Sequence, residues 1–440
     1  MPKRNLLFRY RRAKINLISQ LLDRSMRQVL ARHRPKIIAV TGSIGKTSAK
    51  VAIAQLLATR YRLYIEDQNH NSDRTIRLNF FGLPFPKYNR WLVRWVPVLW
   101  SVHRRTKDFP FDVVVLEMAE SRHASLGAYI KELQPDIGVI SGVSPAHLSY
   151  FHSYDRLVAA VWKLASMCQQ IIYNADFPDL AKQTNAAQAK TYGIQHGVVS
   201  IRNITTQPDG KLAGNLVIDK KSAKIQTNMV ATQALYAVAA AAAVAHKLGW
   251  SLDEIAAAVP MIEPVRGRMN PVVGRQGTVL LDDTFNASPI SVLAALKTLN
   301  GYTGKKIAVL GSMNELSDTT QAAHEKIGQR AAEVVDELVV IGDTAGKYLA
   351  PAAIRAGLDA QHVHVFARAN QAGACLRAIV EPGATILFKG SQDGVFTEEA
   401  IKYVMDQPNE ADKILIRQNG SWKRRKQGFF AETIQQEISS

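Results

Sequence analysis

The sequence predicts an α/β protein in which two parallel β-sheets, each covered by helices, follow one another along the chain. Apolar strand-like runs alternate with helical segments over residues 37–176, and again over 278–387. The strands are apolar on both faces, as is typical of parallel sheets that helices cover on both sides. We therefore expect a central domain over 37–262 and a Rossmann-like, doubly wound C-terminal domain with a basic tail over 263–440, joined by a hinge near 261–277.

The individual elements follow from the hydrophobic period and the length of each segment. In the central domain the predicted strands are 36–40, 112–117, 136–140 and 170–173, and the predicted helices are 49–58 and 153–167. Residues 198–227 are polar and β-like, and an alanine-rich helix follows over 231–248. In the C-terminal domain the predicted strands are 278–281, 306–310, 337–341, 362–366 and 384–387, and the predicted helices are 290–299, 321–334, 345–356 and 370–380.

A glycine-rich loop joins the first predicted strand to the first predicted helix. Residues 40–48 read Val-Thr-Gly-Ser-Ile-Gly-Lys-Thr-Ser, and this strand–loop–helix setting is what a phosphate-binding loop (P-loop) requires. Lys46 supplies a cation for the β- and γ-phosphates, and Thr47 supplies a hydroxyl for Mg²⁺. We therefore predict a central P-loop ATPase domain with ATP and Mg²⁺ as cofactors; a tight turn without a ligand is the alternative. The predicted cofactor-binding residues of the loop are Gly42, Ser43, Gly45, Lys46, Thr47 and Ser48.

Polar side chains follow two further strands of the central domain. Glu117 ends the apolar run 112–117, and His147 lies in the loop after the strand 136–140. Functional loops of an open α/β sheet lie at the carboxyl ends of its strands. We therefore expect Thr47, Glu117 and His147 to converge on one site, where a buried carboxylate needs a cation or water.

The formal net charge of +18 is concentrated at the N-terminus, where residues 1–36 form a basic amphipathic segment. The segment contains eleven Lys and Arg residues but only one acidic residue, Asp23, and its apolar residues recur at helical spacing. Such a helix suits an anionic membrane surface or an acidic partner. A helix packed on the ATPase domain with a solvated basic face explains the pattern equally well. Nucleic-acid binding is a third interpretation, which the absence of a recognition motif disfavours.

Aromatic and basic residues interleave in a second segment, residues 83–110. This composition is typical of a membrane interface or of an oligonucleotide-binding surface, but an amphipathic helix that covers the sheet explains it about as well. Cys168 and Cys375 are far apart and lack metal-ligand spacing, and neither a secretory signal nor a membrane-spanning run is visible. We expect a cytoplasmic protein, and the two basic segments favour association with a membrane surface.

Several motifs, in this order along the chain, resemble the Mur ligases, the ATP-dependent amide-forming enzymes of peptidoglycan synthesis. Thr41-Gly-Ser-Ile-Gly-Lys-Thr47 is similar to the phosphate loop of the family, and Ser144-Pro-Ala-His-Leu148 is similar to its metal-site histidine loop. Asp282-Asp-Thr-Phe-Asn-Ala-Ser-Pro289 resembles the nucleotide-contacting segment of the branch that adds D-Ala-D-Ala. Further similar segments are 115–118, 174–176, 266–269, 310–316 and 388–391.

The resemblance implies that ATP phosphorylates a substrate carboxylate and that an amine attacks the acyl phosphate, giving an amide, ADP and phosphate. It implies catalytic roles for Lys46, His147 and Arg268, and metal binding by Thr47, Glu117 and His147. Asp283 and Asn286 would contact the nucleotide from the C-terminal domain, and closure about the hinge would complete the site.

The resemblance also gives five weaker site candidates. Asn69 and Asn71 lie where the family has an Asn-rich substrate loop. Lys163 is near the place of a carbamylated lysine, although an ungapped count puts Val161 there and Lys163 about 200° further round the helix. Lys389 and Ser391 belong to the segment 388–391. Lys389 is alternatively a solvated strand-end charge, and Asp282 and Asp283 are alternatively a helix-capping turn.

Three departures from the family bear on the substrates. Only about 36 residues precede the P-loop, fewer than an independent domain needs, so we expect the usual N-terminal UDP-binding domain to be absent. Ser312 and Gln392 replace an aspartate and an arginine near the expected amine. We predict a ligase that joins a small-molecule or lipid-linked peptidoglycan precursor to D-Ala-D-Ala or a similar amino acid or dipeptide. The alternatives are a ligase for another cell-surface or storage peptide polymer, a non-catalytic ATP-binding regulator at the membrane surface, and a nucleic-acid-dependent ATPase.

Overall fold

The computed structural model divides the chain into two units. The first contains Met1–Ile204, Ala213–Thr227 and Leu235–Glu263, and the second contains Thr205–Leu212, Asn228–Ala234 and Pro264–Ser440. The structure describes residues 2–65, 73–84, 92–118, 133–144, 151, 153–183, 185–314 and 316–439. None of the described helices combines the length and the apolar character needed to cross a bilayer.

The first unit is built on a mostly parallel sheet. Its described strands are β1 (Lys36–Thr41), β2 (Leu63–Ile65), β3 (Val113–Glu117), β4 (Ile137–Ile140), β5 (Gln170–Asn174), β6 (Lys190–Gly193), β7 (Val199–Thr206), β8 (Leu212–Ile218) and β9 (Lys221–Gln226). They lie in the order β2-β3-β1-β4-β5-β6-β7-β8-β9, and β8 and β9 pair antiparallel. The central strand β1 pairs in parallel with β3 and β4, which places Val40 opposite Glu117 and Thr41 opposite Ile140. The carboxyl ends of these three strands therefore meet at one edge.

Helices cover this sheet because their apolar faces match its apolar strands. The described helices are α1 (Pro2–His33), α2 (Lys46–Leu57), α3 (Asp73–Phe80), α4 (Val96–Lys107), α5 (Tyr154–Ala165), α6 (Pro178–Ala181), α7 (Leu235–Lys247) and α8 (Leu252–Ala258). The alanine-rich α7 packs against α2, and its alanines from Ala237 to Ala245 are buried. The α-helix begins at Leu235, four residues later than predicted, after a 3₁₀ turn over Thr232–Ala234.

The N-terminal helix packs on the first unit. The side chains of Ile18, Leu22, Met26 and Val29 are buried in a hydrophobic cluster that also contains residues of α3 and α4. Arg77 Nε donates a hydrogen bond to Asp23 Oδ1 at 2.5 Å. The interpretation of a helix packed on the ATPase domain is therefore correct for the part of α1 whose side chains the structure describes. Arg24, Arg27, Arg32 and Arg34 are exposed, as a solvated basic face requires.

The second unit is a Rossmann-like sheet with helices on both sides. Its described strands are β10 (Asn270–Val273), β11 (Val279–Asp282), β12 (Lys306–Gly311), β13 (Glu337–Ile341), β14 (Val363–Phe366) and β15 (Thr385–Lys389), in the order β10-β11-β15-β12-β13-β14. The described helices are α9 (Pro289–Asn300), α10 (Thr320–Ala332), α11 (Asp343–Arg355), α12 (Ala369–Ile379), α13 (Glu398–Ile401), α14 (Ala411–Ile414) and α15 (Gly420–Ser439). All pairs are parallel except β10 with β11.

Two segments of this unit are more ordered than the sequence indicated. The predicted hinge near 261–277 contains β10, an edge strand in which Pro271 is tolerated because an edge strand does not need every N–H. Part of the predicted basic tail is α15, where the buried Lys426 donates to Glu399 Oε1 at 2.6 Å. Lysine content alone therefore did not distinguish a tail from a packed helix.

Candidate nucleotide-binding site

The glycine loop turns from β1 into α2 at the carboxyl edge of the first sheet. Gly45 is the N-cap of α2 with a φ of 76°, and Gly42 has a φ of 139°, which L side chains rarely adopt. A Cβ on Gly42 would come within 2.4 Å of Ser141 Oγ. Gly45 supplies no side-chain cap to α2, and an uncapped helix N-terminus is the usual binding site of a phosphate. The predicted Ser48 lies in the first turn of α2.

A second loop, which follows β4, holds the P-loop in place. The N–H of Ser43 donates to Gly142 O at 2.9 Å, and Ser43 Oγ accepts from the N–H of Ser144 at 2.7 Å. Ser141 Oγ donates to Ile44 O at 2.6 Å. Sequence reasoning missed Ser141. Its position directly after the strand β4 was the signal that could have marked it as a site residue. Ser43 thus has a positioning function within the loop that the sequence did not reveal.

Lys46, Thr47 and Glu117 come together at this edge. Thr47 Oγ1 donates to Glu117 Oε1 at 3.4 Å, and Lys46 Nζ donates to Gly42 O at 2.7 Å. Glu117 is buried at the end of β3, and Lys50 Nζ lies 3.4 Å from its Oε2. This contact is an ion pair without hydrogen-bond geometry, because Oε2 accepts no hydrogen bond among the described residues. Sequence reasoning missed Lys50, which lies one helical turn after Lys46.

The oxygen pair of Thr47 and Glu117 fits a magnesium ion. Neighbouring ligands of an octahedral Mg²⁺ with bonds of about 2.1 Å lie about 3.0 Å apart, and the two oxygens here are 3.4 Å apart. No cluster of three or more His, Cys, Asp or Glu side chains suited to a metal occurs among the residues that the structure describes. Because Mg²⁺ keeps several waters and takes one or two protein oxygens, such a sparse donor set suits a nucleotide-bound Mg²⁺.

Four predicted site residues of the first unit do not join this cluster among the described residues. His147, Asn69 and Asn71 lie outside the described residues. Lys163 is exposed on α5, whereas Val161 is buried in the hydrophobic core. The helical offset between the two positions therefore points the lysine away from the core-facing side of α5.

In the second unit, β11 and β15 end side by side, and the residues at their ends form a buried ion pair. Lys389 Nζ donates to Asp283 Oδ2 at 2.6 Å and to Asn286 O at 3.0 Å. Asp283 Oδ1 accepts from the N–H of Met269 at 3.2 Å. Burial lowers the pKa of Lys389, and the charge of Asp283 opposes that shift. The interpretation of Lys389 as a solvated charge is therefore wrong, and Asp283 does not cap a helix: α9 is capped by Ser288.

The remaining predicted residues of this unit lie around the same loop. Burial raises the pKa of Asp282 to about 6, against the hydrogen bonds from Thr284. The guanidinium of Arg268 lies over the ring of Phe285, 3.9 Å from its centroid. Ser391 Oγ accepts from a backbone N–H at 2.8 Å. Asp282, for which a helix cap was the alternative to nucleotide contact, is a buried acceptor for the N–H groups of Gly267 and Thr284 and for the Thr284 hydroxyl.

Arg417, whose side chain is 6% exposed, holds this loop in place, and sequence reasoning missed it. Arg417 donates to both carboxylate oxygens of Glu398, at 2.9 and 2.7 Å, and to the carbonyl oxygens of Thr284 and Phe285, at 2.6 and 3.0 Å. Lys426 provides a second cation, 2.9 Å from Glu398 Oε1. Residues far along the chain therefore fix the loop that carries Asn286, and no local pattern marks them.

Comparison with known families identifies these elements. Residues 96–245 match the Mur ligase middle domain, and residues 267–392 match the Mur ligase glutamate ligase domain. The two matched segments together cover more than half of the chain.

The chain belongs to the Mur ligase family. The predicted recognition and the predicted α/β fold class, with a P-loop domain and a Rossmann-like domain, are confirmed. A UDP-N-acetylmuramoyl-tripeptide–D-alanyl-D-alanine ligase from Mycobacterium tuberculosis is 28% identical over 384 residues, covering 81% of this Mur ligase and 70% of the relative. The enzyme of the same name from Bacillus subtilis is 24% identical over 381 residues, covering 85% and 76%.

Solved structures show the same fold. MurF ligase from Thermotoga maritima, in complex with ADP, superposes with a TM-score of 0.70 at 22% identity, covering 90% of this Mur ligase and 84% of that chain. A pseudomurein peptide ligase type C from Methanothermus fervidus superposes with a TM-score of 0.60 at 17% identity, covering 84% and 78%. At these identities the likeness concerns the fold alone.

Proposed function

We propose that this Mur ligase is an ATP-dependent, ADP-forming ligase that joins a carboxylate to an amine through an acyl phosphate. Its substrates would be a peptidoglycan precursor and D-Ala-D-Ala or a similar amine. Family membership and the names of the relatives from Mycobacterium tuberculosis and Bacillus subtilis support this reaction. A small-molecule or lipid-linked precursor is compatible with the proposal, and a different peptide polymer is the alternative product.

The observation that carries the proposal is the meeting of Lys46, Thr47 and Glu117 at the carboxyl edge of the first sheet. A carboxylate oxygen of the substrate attacks the γ-phosphorus, and ADP leaves. The amine then attacks the acyl carbon, phosphate leaves and the amine loses a proton. Lys46 neutralises charge on the transferring phosphoryl group, and the N-terminus of α2 binds the phosphates. Magnesium, when bound by Thr47 and Glu117, neutralises further phosphate charge.

We assign the predicted residues of the second unit to nucleotide contact and to positioning. The cationic Arg268, stacked on Phe285, is proposed to stabilise the transferred phosphoryl group, and Asn286 to contact the nucleotide. Asp283 already accepts hydrogen bonds from Lys389 and from a backbone N–H, so its proposed contribution is also to hold the loop. Ser391 and Lys389 are proposed as positioning residues.

Four assignments rest on the family resemblance. His147 is proposed as a metal-site residue, and Asn69 and Asn71 are proposed as substrate contacts; all three lie outside the described residues. Lys163 is the least supported candidate, because its side chain is exposed.

The decisive experiment measures ADP release by purified protein with UDP-N-acetylmuramoyl-tripeptide, ATP and D-Ala-D-Ala, and identifies the product by mass spectrometry. Omission of the amine should abolish product formation. Lys46→Ala should lower the rate about 10²- to 10³-fold, as expected when one charge-stabilising group is removed. Lys182→Ala, which changes an exposed lysine paired with Asp179, is the matched control and should match the wild type.

The outcomes separate the alternatives. Product with another amine or acceptor would keep the ligase assignment and change the substrate. Nucleotide binding without turnover across cytoplasmic and lipid-linked precursors would refute the enzyme assignment and favour a regulator. Stimulation of ATP hydrolysis by DNA or RNA would favour a nucleic-acid-dependent ATPase.

A further inference from the structure

Helices α1 and α4 lie side by side in the first unit. His33 Nε2, at the end of α1, lies 3.2 Å from Thr106 O, near the end of α4. α1 leads into β1 and α4 leads into β3, and these two strands are parallel neighbours with Lys36 opposite Val113. The two helices therefore run in the same direction, with their C-terminal ends together.

The outer faces of the two helices have the same polarity gradient. On α1, Leu17 and Leu21 are exposed, and Arg24 and Arg32 follow on the same stripe of the helix. The apolar residues therefore lie in the earlier turns of this segment, and the basic residues lie in the later turns.

The stripe of α4 repeats this order. Val96 and Trp100 are 63% and 64% exposed, and Arg104 and Lys107 follow. With 1.5 Å per residue, Val96 lies about 15 Å before Thr106, and Leu21 lies about 18 Å before His33. Because the C-terminal ends are together, the exposed apolar residues of both helices lie at one end and the basic residues lie at the other.

The charge of this surface has one sign. Residues 17–34 and 92–107 contain a single acidic residue, Asp23, and its carboxylate is bound by Arg77. We name the eight residues of the two stripes the α1/α4 surface; they are Leu17, Leu21, Arg24, Arg32, Val96, Trp100, Arg104 and Lys107.

Isolated exposed apolar residues are ordinary in proteins, so the grouping is the informative feature. In the second unit, Val273, Ile290, Ile354 and Val365 are also exposed, but they lie on four different elements. On the α1/α4 surface, by contrast, four exposed apolar side chains share two adjacent helices with basic residues. Neither the proposed ATP chemistry nor the packing of α1 accounts for this arrangement.

We propose that the α1/α4 surface binds an anionic lipid bilayer. Tryptophan and leucine side chains enter the boundary between headgroups and acyl chains, and Trp is enriched there because its ring is amphipathic. The basic end would lie over anionic headgroups, where each Lys or Arg adds attraction. A purely acidic protein surface would satisfy the arginines but would leave the exposed tryptophan and leucines without an apolar environment. The bilayer is therefore the partner that uses both ends of the surface.

The experiment is co-flotation of the full chain with vesicles of phosphatidylcholine, alone or mixed with phosphatidylglycerol. The protein should bind the mixed vesicles, bind the neutral vesicles much less, and dissociate as salt increases. Arg104→Gln with Lys107→Gln should weaken partitioning about 25-fold, because each basic residue contributes about fivefold. Leu21→Ser with Trp100→Ser should weaken it at least about tenfold.

Matched controls change similar residues elsewhere. Ile290→Ser and Lys297→Glu alter an exposed apolar and an exposed basic residue of α9 and should leave partitioning unchanged. All changed side chains are exposed, so thermal unfolding should show that every variant folds. Equal binding to neutral and anionic vesicles, no binding to either, or variants that bind like the wild type would overturn the proposal. Binding of an acidic protein without vesicle binding would also overturn it.

Discussion

Replacement of Lys50 by methionine tests the buried ion pair beside the P-loop of the first unit. Lys50 Nζ lies 3.4 Å from Glu117 Oε2, and the two side chains are 2% and 5% exposed. At this distance, with an effective dielectric constant of about 20, the attraction is about 5 kcal/mol. The cost of removing both charges from water offsets much of this attraction, so the pair as a whole adds little net stability.

Removal of one partner has a larger effect than the net value of the pair. Methionine fills similar space but leaves Glu117 without the Lys50 cation, so we expect Lys50→Met to lower the free energy of unfolding by about 3–5 kcal/mol. For a unit of this size, each kcal/mol shifts the Tm by about 2–4 °C, giving a fall of about 10 °C. Thermal and denaturant unfolding without metal or nucleotide measure both quantities.

Two further variants separate the ion pair from other effects of the substitution. Lys50→Met combined with Glu117→Gln should recover most of the loss, because no charge is then left buried. Lys36→Met removes an exposed lysine that lies 3.0 Å from Asp136, and should cost less than about 1 kcal/mol. Mg²⁺-ATP should raise the Tm of Lys50→Met more than that of the wild type, because the metal replaces the lost cation beside Glu117. The reasoning would be refuted if Lys50→Met were as stable as the wild type. It would also be refuted if the double variant were no more stable than Lys50→Met alone.

Three other changes test single contacts. Ser43→Ala leaves the N–H of Ser144 without its acceptor and should weaken ATP binding about tenfold, measured by calorimetry. Arg417→Met leaves the buried Glu398 with one cation fewer and should destabilise the second unit by about 3 kcal/mol in denaturant unfolding. The raised pKa of Asp282, about 6, means that the folded state binds the proton more tightly than the unfolded state. Protonated Asp282 therefore stabilises the folded state by about 3 kcal/mol below about pH 4, and this contribution is lost as the pH rises through about 6. Unfolding of Asp282→Asn across this range should lack that fall.

The parts of the fold that were predictable from sequence are those with a local pattern. The P-loop over 40–48 was recognisable because its glycines, Lys46 and Thr47 are contiguous and lie between an apolar strand and a helix. Glu117 was recognisable because a carboxylate directly after an apolar strand needs a partner. In these cases neighbours in the chain carry both the structure and the chemistry.

The parts that were not predictable depend on partners far along the chain. Lys50 gave no signal because its partner, Glu117, is on another strand. Arg417 binds Glu398 and carbonyl groups more than a hundred residues earlier, and composition described its surroundings only as a basic tail. For α1, one pattern of apolar and basic residues is compatible with a packed helix and with a membrane-binding helix. In the part of α1 whose side chains the structure describes, the inner face is packed and the outer face is exposed.

The two units solve the same electrostatic problem in the same way. In the first, Lys50 of α2 neutralises Glu117 at the end of β3; in the second, Lys389 at the end of β15 neutralises Asp283 just after β11. Each carboxylate lies beside residues that we assign to nucleotide or metal binding, and each is buried with its own cation. In the first unit, a Mg²⁺ held by Thr47 and Glu117 would therefore meet a carboxylate that already has a fixed orientation beside Lys50. In the second unit, the ion pair of Lys389 and Asp283 holds the loop that carries Asn286. It follows that each lysine should influence nucleotide affinity through the metal or the loop that its carboxylate holds, although neither lysine need touch the nucleotide.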